Sequence, residues 1–109
     1  MSQSNIPQIT AEEVQKAIVE KKDYVLLDVR TGEEFVRGKI DGSINIPVDE
    51  LINKICEIVP DKNKLIYAYC LSGSRSDFAV NIMKQLGYSN VFSMTSGLLM
   101  WRSNKCPLV

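Results

Sequence analysis

The sequence predicts one domain built on a parallel α/β sheet with helices on both faces. Nearly continuous apolar runs, typical of strands buried on both sides, alternate along the chain with segments that have the spacing of amphipathic helices. No repeat, low-complexity stretch or linker divides the 109 residues, and a chain of that length can build a core without disulfide or metal staples. We therefore expect residues 1–109 to fold as a single unit, with an ordered core at about 9–107.

Local signals place each element in turn. Thr10 and Glu13 match a capping box ahead of the first helix, Pro47 stops a brief strand, Pro60 ends a helix, and Gly87 closes another. In chain order the predicted elements are a helix at 11–20, a strand at 24–27, a short polar helix at 33–37, a brief strand at 44–46, a helix at 48–59, a strand at 65–70, a helix at 78–86, a strand at 91–94 and a final helical segment at 97–102.

Apolar residues at helical spacing indicate which face each helix should bury. The residues expected to be buried are Val14, Ala17 and Ile18 in the first helix, Val48, Leu51, Ile52, Ile55 and Val59 in the helix after Pro47, and Phe78, Ala79, Ile82, Met83 and Leu86 in the helix before Gly87.

The residues that follow two of the strands carry the chemistry. Asp28 and Arg30 come at the end of the first buried strand, and Cys70 comes at the end of the strand Leu-Ile-Tyr-Ala-Tyr. Polar groups at the carboxyl ends of parallel strands usually face a site. A helix is expected to begin soon after Cys70, and its first turn would present unpaired N–H groups and a positive dipole end to the thiol. Such a field favours the thiolate, the nucleophilic form of cysteine.

The loop after Cys70 reads Leu71, Ser72, Gly73, Ser74, Arg75 and Ser76. Four residues between Cys70 and Arg75 are enough to curl the backbone around the sulfur, so that several N–H groups form a nest for an anion. The chain contains no histidine, so Cys–His and Ser–His pairs are excluded. Activation of Cys70 must then come from backbone dipoles and Arg75, and a terminal anion such as a persulfide would be stabilised by the same donors.

Composition limits the class of partner. Thirteen basic and thirteen acidic residues cancel, without a long block of one sign, so we expect neither a nucleic-acid partner nor a membrane-surface partner. No apolar run is long enough to span a membrane, and Met1 to Asn5 are too polar to start a signal peptide, so a cytoplasmic protein is expected. Three widely spaced cysteines suit neither a disulfide framework nor a zinc site, and we expect no metal.

At three places the sequence resembles the rhodanese (sulfurtransferase) family. The first is the loop from Cys70 to Ser76. The second runs from Leu27 to Pro47 and includes Asp28, Arg30 and Glu34, and the third runs from Ser96 to Pro107. The resemblance implies a five-stranded parallel sheet flanked by helices, with Cys70 cycling between thiolate and persulfide. It also implies that the amides from Leu71 to Ser76 form the cradle and that cyanide serves as an assay acceptor. We expect no cofactor, because the nucleophile and the anion nest both come from the chain.

Three residues depart from the family pattern. Lys39 stands where the family usually has histidine, Ser96 where it usually has a glycine, and Lys105 where it often has one. None of these changes removes the nucleophile. The last two bear on turn geometry more than on chemistry.

Other residues are predicted to support the site or to lie outside it. Asp28, Arg30 and Glu34 should form ion pairs with Arg75 or with each other and hold the loop in shape, with the pairing left open. Cys56 and Cys106 are interpreted as structural thiols, although relay of sulfur through either stays open, and Trp101 is interpreted as core.

The leading functional hypothesis is transfer of sulfane sulfur from a donor such as thiosulfate, through Cys70, to cyanide or a thiol. A regulatory or protein-binding domain without turnover, or a persulfide carrier acting on a protein thiol, is the alternative. Phosphatase or arsenate reductase chemistry is disfavoured, because related folds use five residues between cysteine and arginine and this loop has four.

Overall fold

Five parallel strands form the centre of the structure, a computed structural model that describes residues 5–109. The strands are β1 Gln8–Ile9, β2 Val25–Asp28, β3 Ile44–Asn45, β4 Ile66–Tyr69 and β5 Val91–Met94. The helices are α1 Ala11–Val19, α2 Gly32–Arg37, α3 Leu51–Ile58, α4 Ser74–Gln85 and α5 Gly97–Ser103, with a 3-10 turn at Val48–Glu50. The order across the sheet is β1-β5-β4-β2-β3, so β4 lies in the middle. The predicted parallel α/β architecture is confirmed.

Two sequence-based expectations concern the N-terminal segment and membrane spans. Residues 1–4 of the polar N-terminal segment, where we expect no signal peptide, lie outside the described residues. Within residues 5–109, no helix has the length and apolar character that crossing a membrane requires.

Helices cover both faces of the sheet, as predicted. Successive residues of a strand point to opposite faces, so neighbours enter different cores. Leu27 packs in a cluster with α3 and α4, whereas Leu26 packs in a second cluster with α1 and α5. Trp101 of α5 is fully buried in this second cluster, which confirms its interpretation as core.

Capping boxes begin the first two helices. The Thr10 Oγ1 atom accepts the Glu13 N–H at 3.0 Å, and a Glu13 carboxylate oxygen accepts the Thr10 N–H at 3.0 Å, as the sequence predicts. Thr31 and Glu34 repeat this arrangement at the start of α2, a second capping box that the sequence analysis missed. These reciprocal bonds satisfy donors that a helix start leaves unpaired, and they fix the Glu34 side chain at the helix entrance.

Two residues predicted to be buried are exposed. Ile52 is 62% exposed. The segment predicted as one helix at 48–59 is a 3-10 turn followed by the short helix α3. Because α3 buries only Leu51 and Ile55, Ile52 faces solvent. Phe78 is 59% exposed, although it lies on α4. Ser76 of the same helix is fully buried beside the sheet, and two residues rotate a helix by about 200°, so Phe78 must point outward.

The edge strand β1 was not predicted from the sequence, because only two of its residues pair. Gln8 aligns with Ser93 and Ile9 with Met94 on β5. So short a strand gives no alternating pattern to recognise.

Two of the three departures from the family pattern lie at turns of unusual backbone geometry. Ser96, before α5, and Lys105, after it, have positive φ angles of 62° and 60°. Residues with a side chain rarely adopt this left-handed backbone conformation, whereas glycine adopts it at no steric cost. Ser96 and Lys105 therefore both lie at turns whose backbone geometry favours glycine. Lys39, the third departure, places its ammonium 5.1 Å from the centroid of the Phe35 ring.

Candidate active site

The carboxyl ends of β2 and β4 meet in the middle of the sheet. Asp28 aligns with Tyr69, and the Val29 N–H donates to the Tyr69 carbonyl at 3.0 Å, so Cys70 follows the central strand at the point where its neighbour also ends. Ligands of parallel sheets bind outside these carboxyl ends. Topology therefore places the predicted nucleophile where a site is expected.

The segment after Cys70 turns sharply into α4. Leu71 and Ser72 form the turn, and Gly73 lies before the helix with a φ of 107°, a left-handed conformation that favours glycine. Ser74 begins the helix, so Ser74, Arg75 and Ser76 form its first turn rather than part of an irregular loop.

The Cys70 sulfur is buried against the backbone of this segment. The Gly73 N–H donates to the Cys70 Sγ atom at 3.0 Å. The other backbone N–H groups from Leu71 to Ser76 donate to no protein atom within residues 5–109. Unpaired N–H groups at the start of a helix bind anions, because they combine free donors with the positive end of the helix dipole. This segment, Cys70 to Ser76, is called the active loop below.

A buried hydroxyl group lies beside the sulfur and contacts a second one. The Cys70 thiol donates to the Ser76 Oγ atom at 3.7 Å, and the Ser76 hydroxyl donates to the Gly73 carbonyl at 3.1 Å. The Ser93 Oγ atom of β5 lies 2.7 Å from that of Ser76, and both serines are fully buried. Sequence reasoning missed Ser93. A hydroxyl in the middle of an apolar strand was the available signal, because a buried polar group needs a partner.

Helix α5 holds the active loop from the opposite side. The Leu98 N–H donates to the Cys70 carbonyl and the Leu99 N–H to the Leu71 carbonyl, each at 3.0 Å. The approach is so close that a Cβ atom at Gly97 would lie 2.3 Å from the Cys70 carbonyl oxygen. Only glycine fits there, because backbone carbonyls cannot move aside as a flexible side chain can.

A bidentate ion pair ties the active loop to α2. The Arg75 guanidinium donates to both Glu34 oxygens, at 2.7 and 3.1 Å. Hydrogen bonds from Arg75 lower the pKa of Glu34 from 4.5 to about 2, against the opposing effect of burial. The pairing that the sequence left open is therefore Glu34 with Arg75. The Arg75 guanidinium binds a carboxylate, so its charge does not act on the sulfur alone.

A second ion pair lies at the end of β2. Arg30 donates to Asp28 through Nε at 3.0 Å and through Nη2 at 2.7 Å, and Nη2 also donates to the Gly38 carbonyl at 2.7 Å. Both side chains are almost fully buried. The Arg30 guanidinium lies 5.8 Å from the centroid of the Tyr69 ring, and burial raises the pKa of the Tyr69 hydroxyl to about 12. This pair braces the residue before Cys70, whereas the Glu34–Arg75 pair contacts the loop itself.

The remaining loop residues and the other cysteines differ in exposure. Leu71, Ser72 and Ser74 are exposed, and the two serine hydroxyls donate to no protein atom in the described chain. Cys56 is exposed on α3, and Cys106 is half-buried after α5. Neither of these thiols is hydrogen-bonded to Cys70 among residues 5–109.

Known proteins are similar to this chain in sequence and in fold. A family model described as "Rhodanese-like domain" matches residues 10–104. A protein named "Sulfurtransferase" from Allochromatium vinosum is 29% identical over 104 residues, which cover 95% of each chain. "Thiosulfate sulfurtransferase PspE" from Escherichia coli is 38% identical over 65 residues, which cover 60% of this chain and 62% of that protein. The crystal structure of a rhodanese-related protein from Thermoplasma volcanium superposes with a TM-score of 0.83 at 35% identity, over 94% of this chain and 97% of that one.

We predict that Gly97→Ala destabilises the fold by more than about 2 kcal/mol, because the new methyl group would overlap the Cys70 and Leu71 carbonyls and the helix would have to retreat. Urea unfolding measures the change. Gly42→Ala is the matched control: Gly42 also has a positive φ, 86°, but an added Cβ atom meets nothing within 4 Å. Equal losses in the two variants would show that backbone strain alone, and not the contact with the active loop, makes glycine necessary at position 97.

We predict that Glu34→Gln lowers the free energy of unfolding at neutral pH by about 1–2 kcal/mol, a value reduced for the partial exposure of the pair. Glutamine keeps one oxygen for the capping box with Thr31, and it removes the charge and the second acceptor for Arg75. Because the folded-state pKa is lowered, the stabilisation is complete above about pH 4.5 and is lost as the pH falls through about 2. The difference between native and variant chains should therefore shrink over that interval in acid titrations of unfolding. A constant difference across it would contradict the assignment, and the exposed Glu33→Gln serves as control.

Proposed function

The chain belongs to the rhodanese-like domain family, and we propose that it moves sulfane sulfur from a small anionic donor such as thiosulfate to a thiophilic acceptor through a persulfide on Cys70. The observation that carries this proposal is the position of the Cys70 sulfur, 3.0 Å from the Gly73 N–H and flanked by backbone donors that bond to no acceptor within residues 5–109. Matching relatives are named as sulfurtransferases.

In the loading step, the Cys70 thiolate attacks the outer sulfur of thiosulfate. A new S–S bond forms to Sγ, the S–S bond of thiosulfate breaks, and its electron pair leaves with sulfite. The products are the Cys70 persulfide anion and sulfite, and the total charge is unchanged. In the second step, cyanide attacks the outer sulfur, thiocyanate leaves, and the electron pair of the broken bond returns to Sγ as thiolate.

The active loop suits a persulfide because it supplies donors rather than a proton. The N–H groups of Ser74, Arg75 and Ser76 lie in the first turn of α4, where they would hold the terminal sulfur anion formed by loading. They also reduce the charge repulsion that an anionic donor meets as it approaches a thiolate. Neither step requires a metal or organic cofactor, since the nucleophile and the donors come from the chain.

Three further statements stay predictions. The physiological acceptor is a small thiol, or a thiol of a protein partner, and neither nucleic acid nor membrane takes part. A thiolate nucleophile must be kept reduced, which suits a cytoplasmic location. A persulfide carrier would use the same loaded state and would differ only in its acceptor.

We predict that incubation with thiosulfate adds one sulfur atom, about 32 Da, to the native chain and none to Cys70→Ser, because a serine hydroxyl is not ionised near neutral pH. Intact-protein mass spectrometry measures the addition, and thiocyanate production measures turnover. Cys56→Ser and Cys106→Ser are the matched controls and should load and turn over like the native chain. Thiocyanate formed by Cys70→Ser at the native rate would overturn the proposed function, and so would a native chain that takes up no sulfur from several donors.

A further inference from the structure

A small cleft of about 170 Å³ opens beside the active loop. Leu71, the residue after the nucleophile, forms part of its wall, and so does Glu34, the carboxylate bound to Arg75. The cleft and the active loop therefore share a border. A molecule seated in the cleft would contact Leu71, the residue that follows the nucleophile.

The charges of this cleft do not cancel. Arg30 and Glu34 line it, but they are paired with Asp28 and Arg75 as described above. Two more arginine residues line the same cleft, one from the last turn of α2 and one from the last turn of α5. These are Arg37 and Arg102, and neither forms an ion pair with any of residues 5–109. Two uncompensated positive charges face one small space.

The rest of the cleft wall is apolar. Leu71, Leu98 and Leu108 line it, and these side chains are suited to a hydrocarbon segment. A volume of about 170 Å³ is small for a ligand site, and it leaves room for a carboxylate and a short chain. A bulkier group would extend out of the cleft. An anionic head with a short apolar stem fits this combination, and an inorganic anion alone would leave the apolar wall unused.

We propose that Arg37 and Arg102 bind the carboxylate of a small organic thiol and so determine which acceptor removes sulfur from Cys70. This inference rests on the proposed function, because it names the acceptor class for the persulfide. The carboxylate lies between the two guanidinium groups, and the stem crosses Leu71 toward the active loop. Guanidinium groups suit this role, since their planar fork matches a carboxylate.

The transfer step is balanced within the two reactants. The acceptor thiol loses its proton to solvent, and its thiolate attacks the outer sulfur of the Cys70 persulfide. An S–S bond forms between the acceptor and the transferred sulfur, the bond to Cys70 Sγ breaks, and its electron pair regenerates the Cys70 thiolate. The acceptor leaves as a persulfide, and no oxidant or reductant is consumed.

The test follows discharge of the loaded protein by two thiols that differ in charge. The protein is loaded with thiosulfate and freed of excess donor, and loss of the added sulfur is then followed by rapid-quench mass spectrometry. The acceptors are 3-mercaptopropionate, which carries a carboxylate, and 2-mercaptoethanol, which is neutral. In the double variant Arg37→Gln, Arg102→Gln, we expect the half-saturating concentration of 3-mercaptopropionate to rise about tenfold relative to that of 2-mercaptoethanol. Comparing each thiol with itself across variants cancels its intrinsic reactivity.

Lys84→Gln is the matched control. Lys84 is also a cation in the last turn of a helix, but it does not line the cleft. An equal effect of Lys84→Gln would show that only overall charge matters, and it would overturn the proposal. An unchanged ratio in the double variant would overturn it as well.

A second measurement separates this proposal from the proposed function. Binding of 3-(methylthio)propanoate, which has the carboxylate and stem but no thiol, is followed by amide shifts of the unloaded protein. Shifts centred on Arg37, Arg102 and Leu71 that are lost in the double variant support the cleft, and their absence overturns it. A chain that binds this probe but takes up no sulfur instead overturns the proposed function, and with it the acceptor role of the cleft.

Discussion

Two backbone hydrogen bonds, from Leu98 and Leu99 of α5 to the carbonyls of Cys70 and Leu71, fix the orientation of the active loop. The N–H and C=O groups of a trans peptide point in opposite directions, and no peptide bond of the described chain is cis. Since these two carbonyls face α5, the N–H groups of the next residues, Leu71 and Ser72, face the other way. The first turn of α4 adds its own donors. The nest is thus a consequence of where α5 begins.

In this arrangement the site requires glycines at two positions, and its hydrogen-bond donors come from the backbone and not from a histidine. Gly97 allows α5 to reach the loop carbonyls, and a Cβ atom on Gly73 would lie 3.3 Å from the Ser96 nitrogen, so the loop and the turn before α5 pack backbone against backbone. Donors supplied by the backbone cannot rotate away as side chains do, and they need no reorganisation when charge develops on the sulfur. The charged side chains support the loop indirectly, through ion pairs with one another. Glu34 anchors Arg75 to α2, and the pair of Asp28 and Arg30 braces the end of β2.

The sequence was sufficient for those parts of the fold and site that depend on local patterns. Buried strands read as apolar runs, and the β5 strand was predicted at its observed bounds. The capping box of α1 and the position of Cys70 at a strand end were equally local. Features that depend on how elements pack could not be predicted. Phe78 is exposed because Ser76 must face the sheet. The pairing of Glu34 with Arg75 joins two helices that are far apart in sequence. Ser93 becomes a neighbour of Ser76 only once β5 is placed beside β4.

The most direct test of this account is to observe the loop amides while Cys70 carries sulfur. In nitrogen–proton correlation spectra of the uniformly labelled protein, loading with thiosulfate should shift the amide protons of Ser72, Ser74, Arg75 and Ser76 downfield, as expected for donors that gain an anionic acceptor. The amides of α1, on the other face of the sheet, should stay in place, and Cys70→Ser should show no such shifts under the same treatment. A loaded protein whose loop amides do not move would contradict the central claim that the backbone of this loop holds the persulfide.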